Sequence, residues 1–300
     1  LAGFLLPRAR AGLGLMRIEC STLRNSPKET DMTGKTGGFI WYELLTTDPD
    51  GAAAFYGPVI GWRIVSDGPP APDGVEYRHI LRGDGGSAGC VFRLTEEMCA
   101  AGTRPCWLGY VHVADVDRAV AAIAADGGQV LMPKVTIPVG SFALVADPQG
   151  VPFYVMTPVP PPGAPDAQSD VFDPERPQHM RWNELSATDA EAATAFYRRH
   201  FGWEQEGAMD MGPYGQYRFI QHDGVTIGAI MPKMPQMPAP FWTHYIGVDD
   251  IDRAVAAIAA GGGTMLRGPD EIPGGEYSAN ALDPQGAPFG IVGPRLVQGA

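Results

Sequence analysis

Cysteine is scarce in this chain of 300 residues: Cys20, Cys90, Cys99 and Cys106 are all there is, with no C-x-x-C pair among them. That set builds neither a disulfide framework nor a C-x-x-C zinc or redox motif, so a reducing, cytoplasmic setting is the expectation. Positive charge is also short. Lys and Arg total 22 against 34 Asp and Glu, for a net charge of −12, which argues against a nucleic-acid partner or an anionic membrane surface. No run approaches the roughly 18 consecutive apolar residues of a membrane span. The Gly-rich spots, Gly83 to Gly86 and Gly261 to Gly263, lack a G-x-G-x-x-G or Walker pattern and read as turns.

What is present is an ordinary globular composition, 45% hydrophobic and 19% charged. Gly 39 and Pro 29 imply many short elements joined by tight turns. Residues 1–36 carry scattered Arg and Lys around one short apolar run and are expected to be a flexible extension, with Met16 or Met32 as alternative starts.

The chain repeats itself. Trp41 to Trp62 matches Trp182 to Trp203 at 11 of 22 positions without a gap, and Tyr110 to Leu131 matches Tyr245 to Leu266 at 15 of 22. DPQGVPF from Asp147 pairs with DPQGAPF from Asp283, and EYRHI from Glu76 with QYRFI from Gln216. The order is the same in both copies, so two homologous domains are expected at 37–158 and 178–295. The Pro-rich stretch 159–177 reads as an extended linker outside both cores, and 296–300 as a tail.

Each domain contains a smaller echo. Strand-like residues run into Asp48-Pro49-Asp50, Asp115-Val116-Asp117, Asp189-Ala190-Glu191 and Asp250-Ile251-Asp252, and each opens an Ala-rich helical stretch. The first Asp of each is an N-cap candidate, because its carboxylate can accept from the free N–H groups of the first turn. After each helix come β-rich runs separated by Gly turns. The unit is βαβββ, two per domain, and pairing two units buries an apolar face while leaving a cupped sheet.

Strand, D-x-D/E-x-A helix start, A-x-A-F-Y, a Gly-Trp turn and a closing DP-x-G-x-x-F strand together resemble the vicinal oxygen chelate (VOC) superfamily of glyoxalase I, bleomycin- and fosfomycin-resistance proteins and extradiol dioxygenases. The W-x-E-L opening and tandem layout are most similar to the two-domain mycobacterial 27-kDa-antigen type. The resemblance covers about residues 37–295. It implies an α+β fold of two tandem VOC domains, each of two paired βαβββ modules forming a cupped mixed sheet with helices outside and a ligand cavity in the cup.

It also implies a divalent metal held by His and Glu from the first, fourth, fifth and eighth strands of a domain. Those positions map to Trp41, Leu108 and Tyr154 in the first domain and to Trp182, Thr243 and Gly290 in the second, while the fourth strand, around Cys90 and Ala229, offers no carboxylate or imidazole. Indole, alkyl and hydrogen side chains donate no lone pair to such a cation, so no metal ligand and no cofactor is expected, a divalent metal being the alternative. His244 neighbours Thr243 but by alternation falls on the helix-facing side; His79, His179, His200 and His222 read as surface or packing residues.

Alternation places Trp41, Glu43 and Leu45 on one face, with Trp182, Glu184 and Ser186 as counterparts, and adds Leu108, Tyr110 and His112 to the first cup and Thr243 and Tyr245 to the second. A carboxylate beside an indole is partly desolvated and its pKa rises toward values useful for proton transfer. Glu43, Glu184 and His112 are therefore the candidate catalytic residues, and Trp41, Leu108, Tyr110, Tyr154, Trp182, Thr243 and Tyr245 the candidate ligand-binding ones. The alternative is that each Glu accepts hydrogen bonds from Arg78 or Arg218, or from backbone groups, and fixes the sheet. Two functions stay open: a metal-free protein, monomer or homodimer, that binds a small, largely apolar molecule, or an enzyme of glyoxalase, isomerase or dioxygenase type. If there is chemistry, the pairing of Glu43 with His112 favours the first cup, because Gly247 replaces His112 in the second.

Overall fold

The computed structural model describes residues 36–66, 76–165 and 167–296. The expected extension at 1–36, Thr36 apart, and the tail beyond Leu296 lie outside the described residues. The first module is β1 (Phe39–Thr46), α1 (Pro49–Ile60), β2 (Arg63–Val65), β3 (Tyr77–Leu81) and β4 (Ser87–Arg93). A short helix, α2 (Glu96–Ala100), leads into β5 (Cys106–His112), α3 (Val116–Ala125), β6 (Gln129–Ile137), β7 (Gly140–Ala146) and β8 (Pro152–Pro158). The third module is β9 (Met180–Ala187), α4 (Ala190–Phe201), β10 (Ala208–Asp210), β11 (Gln216–His222) and β12 (Val225–Pro232). The fourth is β13 (Phe241–Gly247), α5 (Ile251–Ala260), β14 (Thr264–Glu271), β15 (Tyr277–Leu282) and β16 (Pro288–Gly293).

Two curled eight-stranded sheets result, ordered β2-β3-β4-β1-β5-β8-β7-β6 and β10-β11-β12-β9-β13-β16-β15-β14. The modules of a domain meet where β1 runs antiparallel to β5 and β9 to β13. The helices begin where the sequence places them. Asp48, Asp115, Asp189 and Asp250 each cap a helix by accepting first-turn backbone N–H groups. The Gly-Trp turns end α1 and α4: Gly61 and Gly202 take left-handed conformations at φ 89° and 67°, which glycine adopts without a Cβ penalty.

The helices cover the sheet face opposite each cup, so they lie outside the cups but inside the molecule, packed against the other domain. Phe55 and Tyr56 of α1 meet Phe289 of β16, and Phe196's neighbour Tyr197 on α4 meets Phe153 of β8. Trp62 and Trp203 repeat the exchange, Trp62 Nε1 donating to the Gln178 carbonyl at 2.9 Å and Trp203 Nε1 to the Gly37 carbonyl at 2.7 Å. At the centre, Tyr42 of β1 and Asn183 of β9 occupy equivalent positions, as do Gly109 and His244 across from them. Asn183 Oδ1 accepts from the Tyr42 hydroxyl at 2.9 Å and lies 2.8 Å from His244 Nδ1, so that imidazole carries its proton on Nδ1. The two halves are complementary here and not identical.

The expectation that 159–177 stays outside both cores is corrected. Its last residues pack on the first domain: Ser169 Oγ donates to the Ile40 carbonyl at 2.7 Å, Arg82 pairs with Asp170, and Val171 is fully buried. The apolar pair Val171 and Phe172 between Asp170 and Asp173 gave no period to read, and burial of Val171 rests on contacts distant in sequence.

Candidate functional site: two carboxylate cups

In the first cup Glu43 sits at mid-strand on β1, across from Cys90 on β4 and Leu108 on β5. The Tyr154 hydroxyl donates to Glu43 Oε1 at 3.0 Å, and the Tyr110 hydroxyl donates to Oε2 at 3.1 Å. The Cys90 thiol, 3.5 Å from Oε2, adds a weak third donor and itself accepts from Trp41 Nε1 at 3.2 Å. The Tyr110 and Tyr154 rings stack with centroids 4.1 Å apart, and Phe142 closes on both. Trp41 and Glu43 are both buried. Burial pushes the Glu43 carboxyl above its ordinary range, and the bonds from Tyr154, Tyr110 and Cys90 pull it only part of the way back.

The second cup has the same skeleton with different walls. Glu184 pairs across the ladder with Ala229 and Thr243, and Tyr245 with Gly290. The Tyr217 hydroxyl donates to Glu184 Oε2 at 2.8 Å and accepts from Trp182 Nε1 at 2.7 Å, while the Tyr245 hydroxyl donates to Oε1 at 3.3 Å and accepts from Asn280 Nδ2 at 2.9 Å. Trp182 and Glu184 are only half-buried. Desolvation raises the Glu184 carboxyl, opposed by the two tyrosines and by the charge of Arg267.

Strand alternation thus brings together Trp41, Glu43, Leu108, Tyr110 and Tyr154, and likewise Trp182, Glu184, Thr243 and Tyr245. His112 shares their strand but not their place. It stands four residues beyond Leu108, the partner of Glu43, about 13 Å along β5 at the ordinary strand rise, and the donors to Glu43 are two tyrosines and a thiol. Arg78 and Arg218 are not the anchors: Arg78 bonds Asp50 and Glu76 on the other face of β3. The residues that sequence reasoning passed over are Tyr77, which interacts with Cys90 and Trp41, and its counterpart Tyr217. Their signal was the tyrosine repeated in EYRHI and QYRFI. His244 does face the helices, fully buried against Tyr42 and Trp242, and burial depresses its pKa to about 3.

A divalent metal of the kind the resemblance implies does not fit these donors. Each cup offers one carboxylate already engaged by phenols, the equivalents of the other ligands are indole, isobutyl, threonine, phenol or glycine, and among the described residues no group of three or more His, Cys, Asp and Glu is placed to hold a metal ion.

Two tandem domains of paired βαβββ modules, each with a carboxylate at the floor of a cup, define the VOC fold. The chain belongs to the Glyoxalase/Bleomycin resistance protein/Dioxygenase superfamily, which matches residues 177–291, with the related Glyoxalase-like domain matching residues 41–156. It is 30% identical over 258 residues, 85% of this chain and 94% of the relative, to "Putative glyoxylase CFP32" of Mycobacterium tuberculosis. It is 27% identical over 277 residues to the anthracycline biosynthesis protein DnrV of Streptomyces peucetius, covering 85% of this chain and 93% of the relative. In fold it is similar to the Mn(II)-bound glyoxalase of Novosphingobium aromaticivorans, at 16% identity and TM-score 0.57 over 86% of this chain and 82% of that one. It is also similar to the 2,2',3-trihydroxybiphenyl 1,2-dioxygenase of Sphingomonas wittichii, at 12% identity and TM-score 0.58 over 91% and 93%.

Proposed function

We propose that this protein binds a small, largely apolar molecule in an aromatic-lined cup through a tyrosine-held carboxylate, without a divalent metal. The observation that carries this reading is the engagement of each cup carboxylate by two phenol hydroxyls at the level of the strands where the resemblance implies metal ligands. Aromatic walls around one polar anchor suit an apolar ring with a single hydrogen-bonding group. One relative is named an anthracycline biosynthesis protein, which supports a small organic molecule as the ligand.

Because the helical faces of the two domains cover one another, a single chain completes the fold, which supports a monomer, with a homodimer as the alternative. The test is native mass spectrometry of the purified protein together with elemental analysis. The expected result is an organic molecule released on denaturation and no stoichiometric transition metal. About one tightly held Mn, Fe, Ni or Zn per domain would replace this reading with metal-dependent catalysis.

The second reading is an enzyme in which the cup carboxylate acts as general base. The raised pKa of Glu43 and Glu184 favours it, because a base poised nearer neutrality is the better proton acceptor. Loss of turnover with retained binding in the Glu-to-Gln variants would select it.

A further inference from the structure

The strand registers allow the two cups to be compared position by position. Leu45, Leu108 and Cys90 in the first correspond to Ser186, Thr243 and Ala229 in the second. Across the second module, Tyr154, Leu144 and Met132 correspond to Gly290, Asn280 and Arg267. The substitutions run in one direction, from bulky and apolar to small or polar.

Their effect on the carboxylates differs. In the first cup Tyr154 and Tyr110 lie ring on ring and each bonds one oxygen of Glu43, with Cys90 as a third donor, so both carboxylate oxygens are engaged by the cup's own side chains. In the second, Gly290 stands where Tyr154 would. A Cβ there would lie 2.3 Å from the Tyr245 ring, so that ring leans over the glycine and one phenol fewer occupies the cup. Glu184 keeps two donors, one of them at 3.3 Å, and an ionised carboxylate has about four acceptor positions. Capacity is left for a ligand.

An independent observation points the same way. Ser186 lies two residues beyond Glu184 and shares its face. It is 1% exposed, and its hydroxyl has no hydrogen-bond partner among the described residues. A buried, unsatisfied hydroxyl costs free energy unless something bonds it. The position needs no hydroxyl for folding, since its counterpart is Leu45.

We infer that the second cup, and not the first, holds the ligand, and that this ligand is a flat ring system with a hydroxyl that donates to Glu184 and a carbonyl that accepts from Ser186. This deepens the proposed small-molecule function and rests on it. Trp182 and Tyr217, parallel to within 2°, supply aromatic faces beside the carboxylate, and the charge of Arg267 opposes part of the upward shift that burial imposes on Glu184.

The probe is 2-hydroxyanthraquinone, which carries both groups on a flat frame, titrated calorimetrically into the full chain, with anthraquinone as the analogue lacking the hydroxyl. The expected result is one molecule bound per chain, at least about tenfold weaker binding of anthraquinone, and a similar loss in Ser186→Leu. Leu45→Ser in the first cup leaves affinity and stoichiometry unchanged. Should Ser186→Leu fail to fold, Ser186→Ala removes the hydroxyl alone and is expected to weaken binding as well. Two molecules per chain, or undiminished binding in the Ser186 variants, would overturn the assignment to the second cup while leaving the small-molecule reading standing. No saturable binding of the probe would overturn the ligand class, and the native mass spectrum then decides the broader reading separately.

Discussion

The Tyr56 hydroxyl crosses from the first domain to donate to Asp283 Oδ2 in the second, at 3.2 Å, and the relationship recurs with the domains exchanged, Tyr197 donating to Asp147 Oδ2 at 3.2 Å. Each Asp spends its other oxygen on its own turn, accepting from backbone N–H groups at Gln149 and Val151 or at Gln285 and Ala287. Each tyrosine also accepts from an indole, Trp107 or Trp242. The A-F-Y and DPQG motifs therefore act as one device: a helix of one domain is fastened to the closing strand of the other.

Replacing Tyr56 by Phe leaves a buried Trp107 N–H and one Asp283 oxygen without a partner. The expected cost is about 1–3 kcal/mol, with a comparable loss for Tyr197→Phe. Urea unfolding at constant slope measures it. Because these bonds tie the halves together, wild-type protein is expected to unfold in one calorimetric transition. Two resolved transitions would show that the domains are independent.

His244 supplies a pH dependence of defined sign. Its folded pKa of about 3 lies below the ordinary imidazole value of about 6.5, so the unfolded chain binds the extra proton. The stability contribution is whole above pH ~6.5 and is lost as pH falls toward about 3, with about 2 kcal/mol gone by pH 5. His244→Phe keeps an aromatic ring beside Tyr42 and removes the titration. The difference in unfolding free energy between wild type and variant is expected to shrink by that amount from pH 7 to 5, and a difference independent of pH would refute the argument.

The interface illustrates what a sequence can and cannot disclose. The four helix caps and the face shared by Trp41 and Glu43 follow from local spacing, because a cap needs an acid two or three residues before a free N–H and a strand alternates with period two. The partner of Tyr56 does not. Asp147 and Asp283 sit in matching motifs, so the sequence is the same whether Tyr56 bonds within its own domain or across. One anchor of Glu184, Tyr217, was hidden for a related reason. Tyr217 reaches Glu184 through β12, and that register depends on two ladders that no single segment encodes. Arg78, one residue from Tyr77, carries the charge that draws attention but points to the opposite face.

Gly290→Ala tests the geometry of the second cup directly. The added methyl would meet three Tyr245 ring atoms at 2.3 to 2.6 Å, so the ring must swing away from Glu184 and Asn280. The expected destabilisation is about 1–3 kcal/mol, as for other overpacked sites. Thermal melting reads it, and an unchanged melting temperature would mean that Tyr245 is not held over Gly290.

Glu43 and Glu184 should oppose His244 in sign. Desolvation raises both carboxyls above the unfolded value. A raised carboxyl contributes stability that is complete below the unfolded pKa, about 4.3, and is lost as pH rises through the folded pKa. Wild type is therefore expected to lose stability relative to Glu43→Gln as pH rises from 4 to 7. The same trend in Glu184→Gln is expected to be weaker, because Glu184 is less buried than Glu43 and the charge of Arg267 favours its ionised form. Ligand binding separates the two positions further. Removing the charge from Glu184 costs a charge-assisted bond to the ligand hydroxyl, about 1.5–3 kcal/mol of affinity. Melting curves of both variants across this pH range, with calorimetric titration of 2-hydroxyanthraquinone into Glu184→Gln, check both statements. Parallel melting profiles for wild type and Glu43→Gln would mean that the Glu43 carboxyl is not desolvated, and undiminished affinity in Glu184→Gln would remove it from the ligand's contacts.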